Sequence, residues 1–345
     1  MVSKPAFRPR LGELFSGPGG LGLGAHLAGF DHAWAVDLDP SACQTYLNNI
    51  PGATKTSVIC GDVTQVKLNE LPPIDALAFG FPCNDFSLVG EQKGLEGSFG
   101  PLYQSGVKVL KHHKPMVFMA ENVGGLMSAN GGQAFIAILA DLEAAGYRVH
   151  AQLYKCEDYG VPQRRHRVIF VVFRIDLDHI FTPPAPITPH ATQRKSSRQA
   201  LANIPSFAPN HEKTRQHSRV VERLKHIKPG QNAFTADMPE ELKLQVKGAT
   251  ISQIYRRLNP DLPSYTVTGS GGGGTHLYHW EEDRALTSRE RARLQTFPDD
   301  YVFYGTKEAV RKQIGMAVPP LFAEQLCRAV LDQLFEVSAK TDSGI

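Results

Sequence analysis

The sequence predicts an α/β protein built on a mostly parallel, doubly wound sheet. Through the first half of the chain, short apolar runs alternate with helix-length patterns, and a glycine-rich turn, "SGPGGLGLG", follows the first apolar run. Both features are typical of parallel strands joined by covering helices. From about Phe181 onward the pattern becomes irregular, basic and loop-rich, which indicates a second, smaller domain.

The predicted strands lie at 11–15, 32–36, 56–61, 74–80 and 115–122, followed by "YRVHAQLY" and "HRVIFVVF". Helices are expected at 20–29, 39–49, 101–113 and 133–146. The segment "FTPPAPITPH" carries four prolines in ten residues and reads as a linker. A final amphipathic helix at 319–337 is expected to pack back on the first domain. The expected domains are therefore 1–181, 182–310 and a returning segment, 311–345.

The composition is that of an ordinary soluble globular protein, with 345 residues, 42% of them hydrophobic and 21% charged. The five cysteines are odd in number and lack a CxxC pattern, so neither a disulfide framework nor a metal site is expected. No apolar run approaches the roughly 20 residues of a membrane span, and a cytoplasmic protein, or a nuclear one if the source is eukaryotic, is expected. Net charge is only +3, but basic clusters in the second half favour a polyanionic partner: "QRRHR", "QRKSSR", "HEKTRQHSRVVERLKHIK" and "SRERAR".

Acidic residues follow the second and third predicted strands. Asp37 comes about twenty residues after the glycine-rich turn, a spacing at which a carboxylate can hold a ribose diol. Asp62 ends the third strand at a similar level. Together with the glycines, these residues predict a nucleoside pocket at the carboxyl edge of the sheet. The alternative is that the glycines serve tight packing and the acids cap helices.

The fourth and fifth strands end in residues suited to catalysis. Cys83 lies in "FGFPCNDFSL", on a turn after the fourth strand, where a thiol can attack as a thiolate; a buried, inert cysteine is the alternative. Glu121 ends an apolar strand, which suits proton donation near neutral pH, although a helix-capping role for "ENV" is open. Arg165 and Arg167 alternate on one face as the next strand begins, with donors suited to a carbonyl oxygen or a phosphate.

Taken in order, "FSGPGG", "FPCNDFS", "ENV", "QRRHR", "LTSRERARLQTFP" and "GMAVPP" resemble the motif series of the DNA (cytosine-5) methyltransferases, over roughly residues 11–335. The resemblance implies a Rossmann-like S-adenosylmethionine-dependent methyltransferase fold, with a target-recognition domain at about 182–310. It implies a monomer that acts on double-stranded DNA. It also implies a restriction-modification role, with a restriction endonuclease as a functional counterpart but no stable complex.

The resemblance also assigns residues to roles. Cys83 would add to carbon 6 of cytosine, and Glu121 would hydrogen-bond ring nitrogen 3 and the exocyclic amine. Arg165 would contact the oxygen at carbon 2. Arg167 would support the placement of Cys83 and Glu121. The base must be flipped out of the duplex for this chemistry. S-adenosylmethionine would be held by Phe15, Gly17, Gly19, Gly20, Leu21, Asp37, Leu38, Asp62, Val63, Pro82 and Val318. DNA would be held by Ser87, Gln92, Arg164, Thr268, Gly271, Gly272, Gly273 and Thr275.

Two other functions are compatible with these motifs. A relative that methylates transfer RNA would share the series, although the long basic recognition region argues against it. A catalytically inactive accessory subunit would bind DNA without turnover, but such relatives typically lose the cysteine or the glutamate, and this chain keeps both. Met316 in "GMAVPP" stands where the family usually has asparagine, and Phe99 where arginine is common.

Overall fold

The computed structural model describes residues 7–80, 100–244, 252–269 and 275–342. The chain divides into two compact units. The first consists of Met1–Lys155, His166–Ala185 and Pro320–Ile345, and the second of Cys156–Arg165 and Pro186–Pro319. This division differs from the expected domains, because Cys156–Arg165 belongs to the second unit and the return to the first unit begins at Pro320.

The first unit is built on a seven-stranded sheet in the order β3-β2-β1-β4-β5-β7-β6. β1 to β5 pair in parallel, and β7 pairs antiparallel with both β5 and β6, so six strands run in one direction, which confirms the predicted mostly parallel α/β fold. The order reverses between β1 and β4, the position at which open α/β sheets bind ligands. The strands are β1 (Arg10–Leu14), β2 (Asp31–Asp37), β3 (Val58–Cys60), β4 (Ala76–Phe79), β5 (Val117–Val123), β6 (Tyr147–Lys155) and β7 (His166–Arg174).

Nine helices are assigned among the described residues, and those of the first half lie where the apolar spacing predicts them. α1 begins at the end of the glycine-rich turn and packs against the last helix, α9. The contact is close, since a Cβ added at Gly24 would lie 2.5 Å from the Cβ of Ala323. The helices are α1 (Gly20–Ala28), α2 (Pro40–Asn49), α3 (Gly100–His113), α4 (Gln133–Ala144), α5 (Ser197–Leu201), α6 (Ser218–His226), α7 (Ser288–Leu294), α8 (Lys307–Met316) and α9 (Pro320–Asp342).

The strand β3 is shorter than the predicted strand at 56–61. Residues before it form a hydrogen-bonded turn, in which the Thr54 amide donates to the Ser57 hydroxyl at 2.9 Å and the Val58 amide donates to the Thr54 carbonyl at 3.0 Å. Hydroxyl side chains compete in this way with strand pairing. The extended segment therefore begins only at Val58.

Each unit has its own apolar core. In the first unit the largest fully buried side chains of the sheet include Trp34, Phe79 and Tyr147. In the second, a smaller cluster forms around Leu224, Ile227 and Tyr278. Among the described residues, the stretch Lys307–Glu336 is long and apolar enough to cross a membrane, but 61% of its most apolar part is buried inside the protein, as expected of a core helix.

Candidate active site

Three strand ends meet at Asp37 on the carboxyl edge of the sheet. The Gly17 amide donates to Asp37 Oδ2 at 2.8 Å, the Asp39 amide donates to Oδ1 at 2.9 Å, and the Gly61 amide donates to the Asp37 carbonyl at 2.9 Å. The turn after β1 can reach this carboxylate because its backbone is left-handed at Phe15, Gly17 and Gly19 (φ 53°, 54° and 89°). Glycine adopts this conformation without strain, whereas Phe15 does so against a steric penalty.

The surroundings of Asp37 fit a nucleoside. Added Cβ atoms at Gly17 and Gly61 would have no neighbour within 4 Å, so space is open at both glycines that hydrogen-bond Asp37. The adjacent Leu38 is apolar yet 72% exposed, and it offers an uncovered surface for a flat base. A carboxylate, two open glycine positions and an exposed leucine are suited to a ribose diol and an adenine ring.

The remaining predicted cofactor residues divide into core and rim positions. Phe15 is half-buried and packs against the core, while Gly20 and Leu21 are buried in the first turn of α1. Asp62 is exposed, and its Oδ1 accepts the Thr64 amide at 2.9 Å, so the capping role weighed for this acid is present in the structure. Val63 packs at the edge of the core, and Val318 is half-buried in the short segment that follows α8.

Glu121 and Arg167 form an ion pair at the same edge of the sheet. Arg167 Nε lies 2.6 Å from Glu121 Oε1, and the two side chains are only 16% and 13% exposed. The pairing follows from the antiparallel register, in which Val123 lies opposite Arg167 at the start of β7. Gly80 lies beside the carboxylate, because an added Cβ there would be 3.5 Å from Glu121 Oε2. Low exposure strengthens the ion pair and makes loss of either partner costly.

Arg165 precedes β7, whereas Arg167 is the second residue of that strand. The sequence predicted both arginines on one face as the strand begins, and β7 begins between them at His166. Arg165 is 1% exposed, and its Nη1 donates to the Gly315 carbonyl at 3.0 Å and to the Val267 carbonyl at 3.4 Å. These carbonyls belong to the second unit, as Arg165 does.

Several predicted site residues lie outside the described part of the chain: Pro82, Cys83, Ser87, Gln92, Gly271, Gly272 and Gly273. Of the predicted DNA-binding residues that are described, Arg164 is exposed, and Thr268 and Thr275 are half-buried on either side of 270–274. The backbone at Thr268 is held by Arg291, whose Nη2 donates to the Thr268 carbonyl at 2.9 Å.

Sequence reasoning missed a buried polar chain behind the glycine-rich turn. Glu13 is 3% exposed, and its Oε2 accepts the Tyr46 hydroxyl at 3.1 Å; His32 contacts the same hydroxyl at 3.2 Å and the Ser57 hydroxyl at 2.8 Å. Burial raises the pKa of Glu13 to about 8 and lowers that of His32 to about 4. The sequence signal for this chain was Glu13 itself, a glutamate within the apolar run "LGELF". The sequence alone does not tell whether such a carboxyl is buried or lies at the edge of the sheet.

The fold and the site together define a Rossmann-like methyltransferase. A prophage-encoded E. coli protein described as a DNA modification methyltransferase superposes with a TM-score of 0.73 at 23% identity, over 94% of this chain and 99% of that one. The S. pombe Dnmt2 methyltransferase superposes with a TM-score of 0.61 at 18% identity, over 95% and 99%. At these identities the likeness is one of fold alone.

The chain belongs to the C-5 cytosine-specific DNA methylase family, whose sequence model matches residues 10–332. It is 58% identical over 340 residues to the Type II methyltransferase M.BbvI of Brevibacillus brevis, covering 93% of this chain and 90% of that protein. It is 41% identical over 346 residues to M.NgoFVII of Neisseria gonorrhoeae, covering 97% and 90%. The enzyme therefore methylates carbon 5 of cytosine in DNA, and its reaction requires a methyl donor.

Proposed function

We propose that the enzyme methylates one cytosine within a specific double-stranded DNA sequence, through base flipping and a covalent adduct of Cys83 at carbon 6. The observation that carries the proposal is the Glu121–Arg167 ion pair beside Gly80. Gly80 ends a described segment, and Cys83 follows it by three residues in the sequence. Carbon 5 of cytosine is a poor nucleophile, and addition of a thiolate at carbon 6 makes it electron-rich.

Glu121 is suited to bind the flipped base, because its carboxyl can hydrogen-bond ring nitrogen 3 and the exocyclic amine as the adduct forms. The contacts favour Arg167 as the arginine that orients this carboxyl, since it pairs with Glu121 at 2.6 Å. We assign Arg165 a positioning role within the second unit, where it supports the backbone next to Thr268. In this proposal Arg167 contacts the oxygen at carbon 2 of cytosine, a role that was expected for Arg165.

S-adenosylmethionine is the proposed donor, and its sulfonium supplies an electrophilic methyl group when bound. Asp37 would hold the ribose hydroxyls, with Leu38 against the adenine and the Gly17 turn beside the methionine portion. The fit rests on the open space at Gly17 and Gly61 and on the uncovered Leu38 side chain. We propose that the enzyme acts in the cytoplasm as a monomer and protects host DNA from a cognate restriction endonuclease, with which it forms no stable complex.

Replacement of Cys83 tests the thiolate assignment. Wild type, Cys83→Ser and Cys60→Ser are assayed for methyl transfer from labelled S-adenosylmethionine to duplex DNA and, in parallel, to transfer RNA. Cys60 is exposed on β3 and provides a matched thiol-to-hydroxyl control. We expect turnover on DNA for wild type and Cys60→Ser and none for Cys83→Ser. Retained turnover in Cys83→Ser would exclude the covalent mechanism. A preference for transfer RNA would show that RNA, and not DNA, is the substrate.

A second experiment tests the adduct and the sequence specificity. Duplex DNA containing 5-fluorocytosine cannot complete the elimination step, so wild type should form a covalent complex that survives denaturing electrophoresis. Bisulfite sequencing of methylated DNA then identifies the target sequence. An active enzyme that forms no complex, or one that methylates cytosines without a sequence pattern, would contradict the corresponding part of the proposal.

A further inference from the structure

Two arginine side chains of the second unit stack on a single aromatic ring. The Cζ of Arg256 lies 3.1 Å from the centroid of the Tyr265 ring, and the Cζ of Arg164 lies 5.0 Å from the same centroid. The ring is half-buried, and its hydroxyl donates to the Gly230 carbonyl at 3.3 Å. A tyrosine held at both its backbone and its hydroxyl provides a rigid surface for both guanidinium groups.

The backbone fixes Arg164 next to this ring. The Arg164 amide donates to the Ser264 carbonyl at 2.9 Å, the Ser264 amide donates to the Pro162 carbonyl at 2.9 Å, and the Thr266 hydroxyl donates to the Arg164 carbonyl at 2.6 Å. The segment that carries Arg164 is therefore tied to the segment that carries Tyr265. Displacement of either segment would disturb the other.

Among the described residues, neither guanidinium is paired with a carboxylate. Within the described ranges, no carboxylate or carbonyl accepts a hydrogen bond from the side chain of Arg164 or Arg256, and Arg256 Nε is buried without an acceptor. Other arginines of the same unit are neutralised, since Arg284 pairs with Glu290 at 2.7 Å and Arg293 pairs with Asp299 at 2.6 Å. Both positive charges lie within 5.0 Å of the same ring centroid, so they repel each other, and an anion that both guanidinium groups contact would relieve this repulsion.

We infer that Arg164 and Arg256 together bind one backbone phosphate of the DNA, with Tyr265 holding both guanidinium groups in place. The inference rests on the proposed function, in which duplex DNA is the bound substrate. A phosphodiester suits the pair better than a base edge does, because its two non-bridging oxygens can accept from two cations, whereas a guanine edge is read by one bidentate arginine. A phosphate held here would fix the position of the DNA backbone relative to the second unit.

Substitutions that remove the positive charge of each arginine test the phosphate contact. Wild type, Arg164→Gln and Arg256→Gln are compared in binding to a duplex that carries the methylated sequence, over a series of salt concentrations. Each variant should bind about tenfold more weakly, and the slope of log affinity against log salt should fall by about one. The methylated sequence should stay the same. Arg148→Gln is the control, since Arg148 lies near the start of β6, at the edge of the sheet opposite the active site.

Substitutions of the ring separate stacking from hydrogen bonding. Tyr265→Phe keeps the ring and should retain affinity, whereas Tyr265→Leu should lose about as much affinity as Arg256→Gln. An unchanged salt slope in both arginine variants would overturn the phosphate assignment, and an altered methylation sequence would show a base contact instead. Arg164 is exposed, so its variant remains informative if Arg256→Gln fails to fold. If wild type neither binds nor methylates duplex DNA, the proposed function itself fails.

Discussion

Glu13 is a buried carboxyl that we expect to make the enzyme less stable as the pH rises. It lies in β1, 3% exposed, and burial is the largest cause of the rise in its pKa from 4.5 to about 8. Hydrogen bonds from the Tyr46 hydroxyl and the Gly22 backbone oppose this rise, and the negative charge of Asp37 adds to it. At neutral pH the folded protein therefore holds a protonated glutamate, whereas the unfolded chain holds a carboxylate.

The sign and size of the effect follow from this difference. Because the folded state binds the proton more tightly, the stabilisation from Glu13 is complete below pH 4.5 and is lost as the pH rises to about 8. One pKa unit corresponds to about 1.4 kcal/mol, so the loss reaches about 3 kcal/mol at pH 7 and about 5 kcal/mol above pH 8. Glutamine has nearly the same shape, can accept from Tyr46 and has no proton to release.

We therefore expect Glu13→Gln to be more stable than wild type by about 3 kcal/mol at pH 7. The advantage should grow by about 1.4 kcal/mol per pH unit between pH 5.5 and 8 and then level off. Urea unfolding at a series of pH values measures this, with fluorescence of Trp34, fully buried in the first unit, as the signal. Glu143→Gln makes the same chemical change at an exposed position of α4. A stability difference between Glu13→Gln and wild type that does not vary with pH would refute the reasoning.

Three further predictions concern packing, buried charge and the cofactor. Gly24→Ala should lower the free energy of unfolding by about 2–3 kcal/mol, because the new Cβ would meet the backbone of α9 at 2.6 Å. Gly61→Ala, whose new Cβ would have no atom within 4 Å, should change it by less than about 0.5 kcal/mol. Equal losses of stability in urea unfolding would contradict this. Arg291→Met should raise the melting temperature of the second unit, since burial lowers the pKa of this guanidinium to about 10 and two of its N–H groups lack acceptors; a lower value in calorimetry would oppose it. Asp37→Asn should weaken S-adenosylmethionine binding by about tenfold or more in titration calorimetry, and unchanged affinity would place the ribose elsewhere.

The strands and helices of the first unit were predictable because their signals are local. An apolar run that ends in glycine or an acid reports burial on both faces of a parallel strand, and this holds for β1, β2 and β4 without knowledge of their neighbours. β3 was predicted too long because the hydroxyls of Thr54 and Ser57 form their own turn, a competition that strand propensity does not capture. The neutral state of Glu13 could not be predicted, since it depends on the enclosure provided by α1 and Tyr46.

By itself, the sequence determined the fold class, the order of the motifs and the types of residue available for chemistry, because each depends on spacing along the chain. Only the tertiary structure decided how those residues are partnered. Arg165 and Arg167 look equivalent in "QRRHR". The antiparallel register of β5 and β7 pairs Arg167 with Glu121. Arg165 donates to the carbonyls of Val267 and Gly315 in its own unit. Likewise, Arg256 and Tyr265 are nine residues apart in an irregular segment, and only folding stacks one on the other. Partners distant in sequence are selected by strand register and loop packing, which no local pattern encodes.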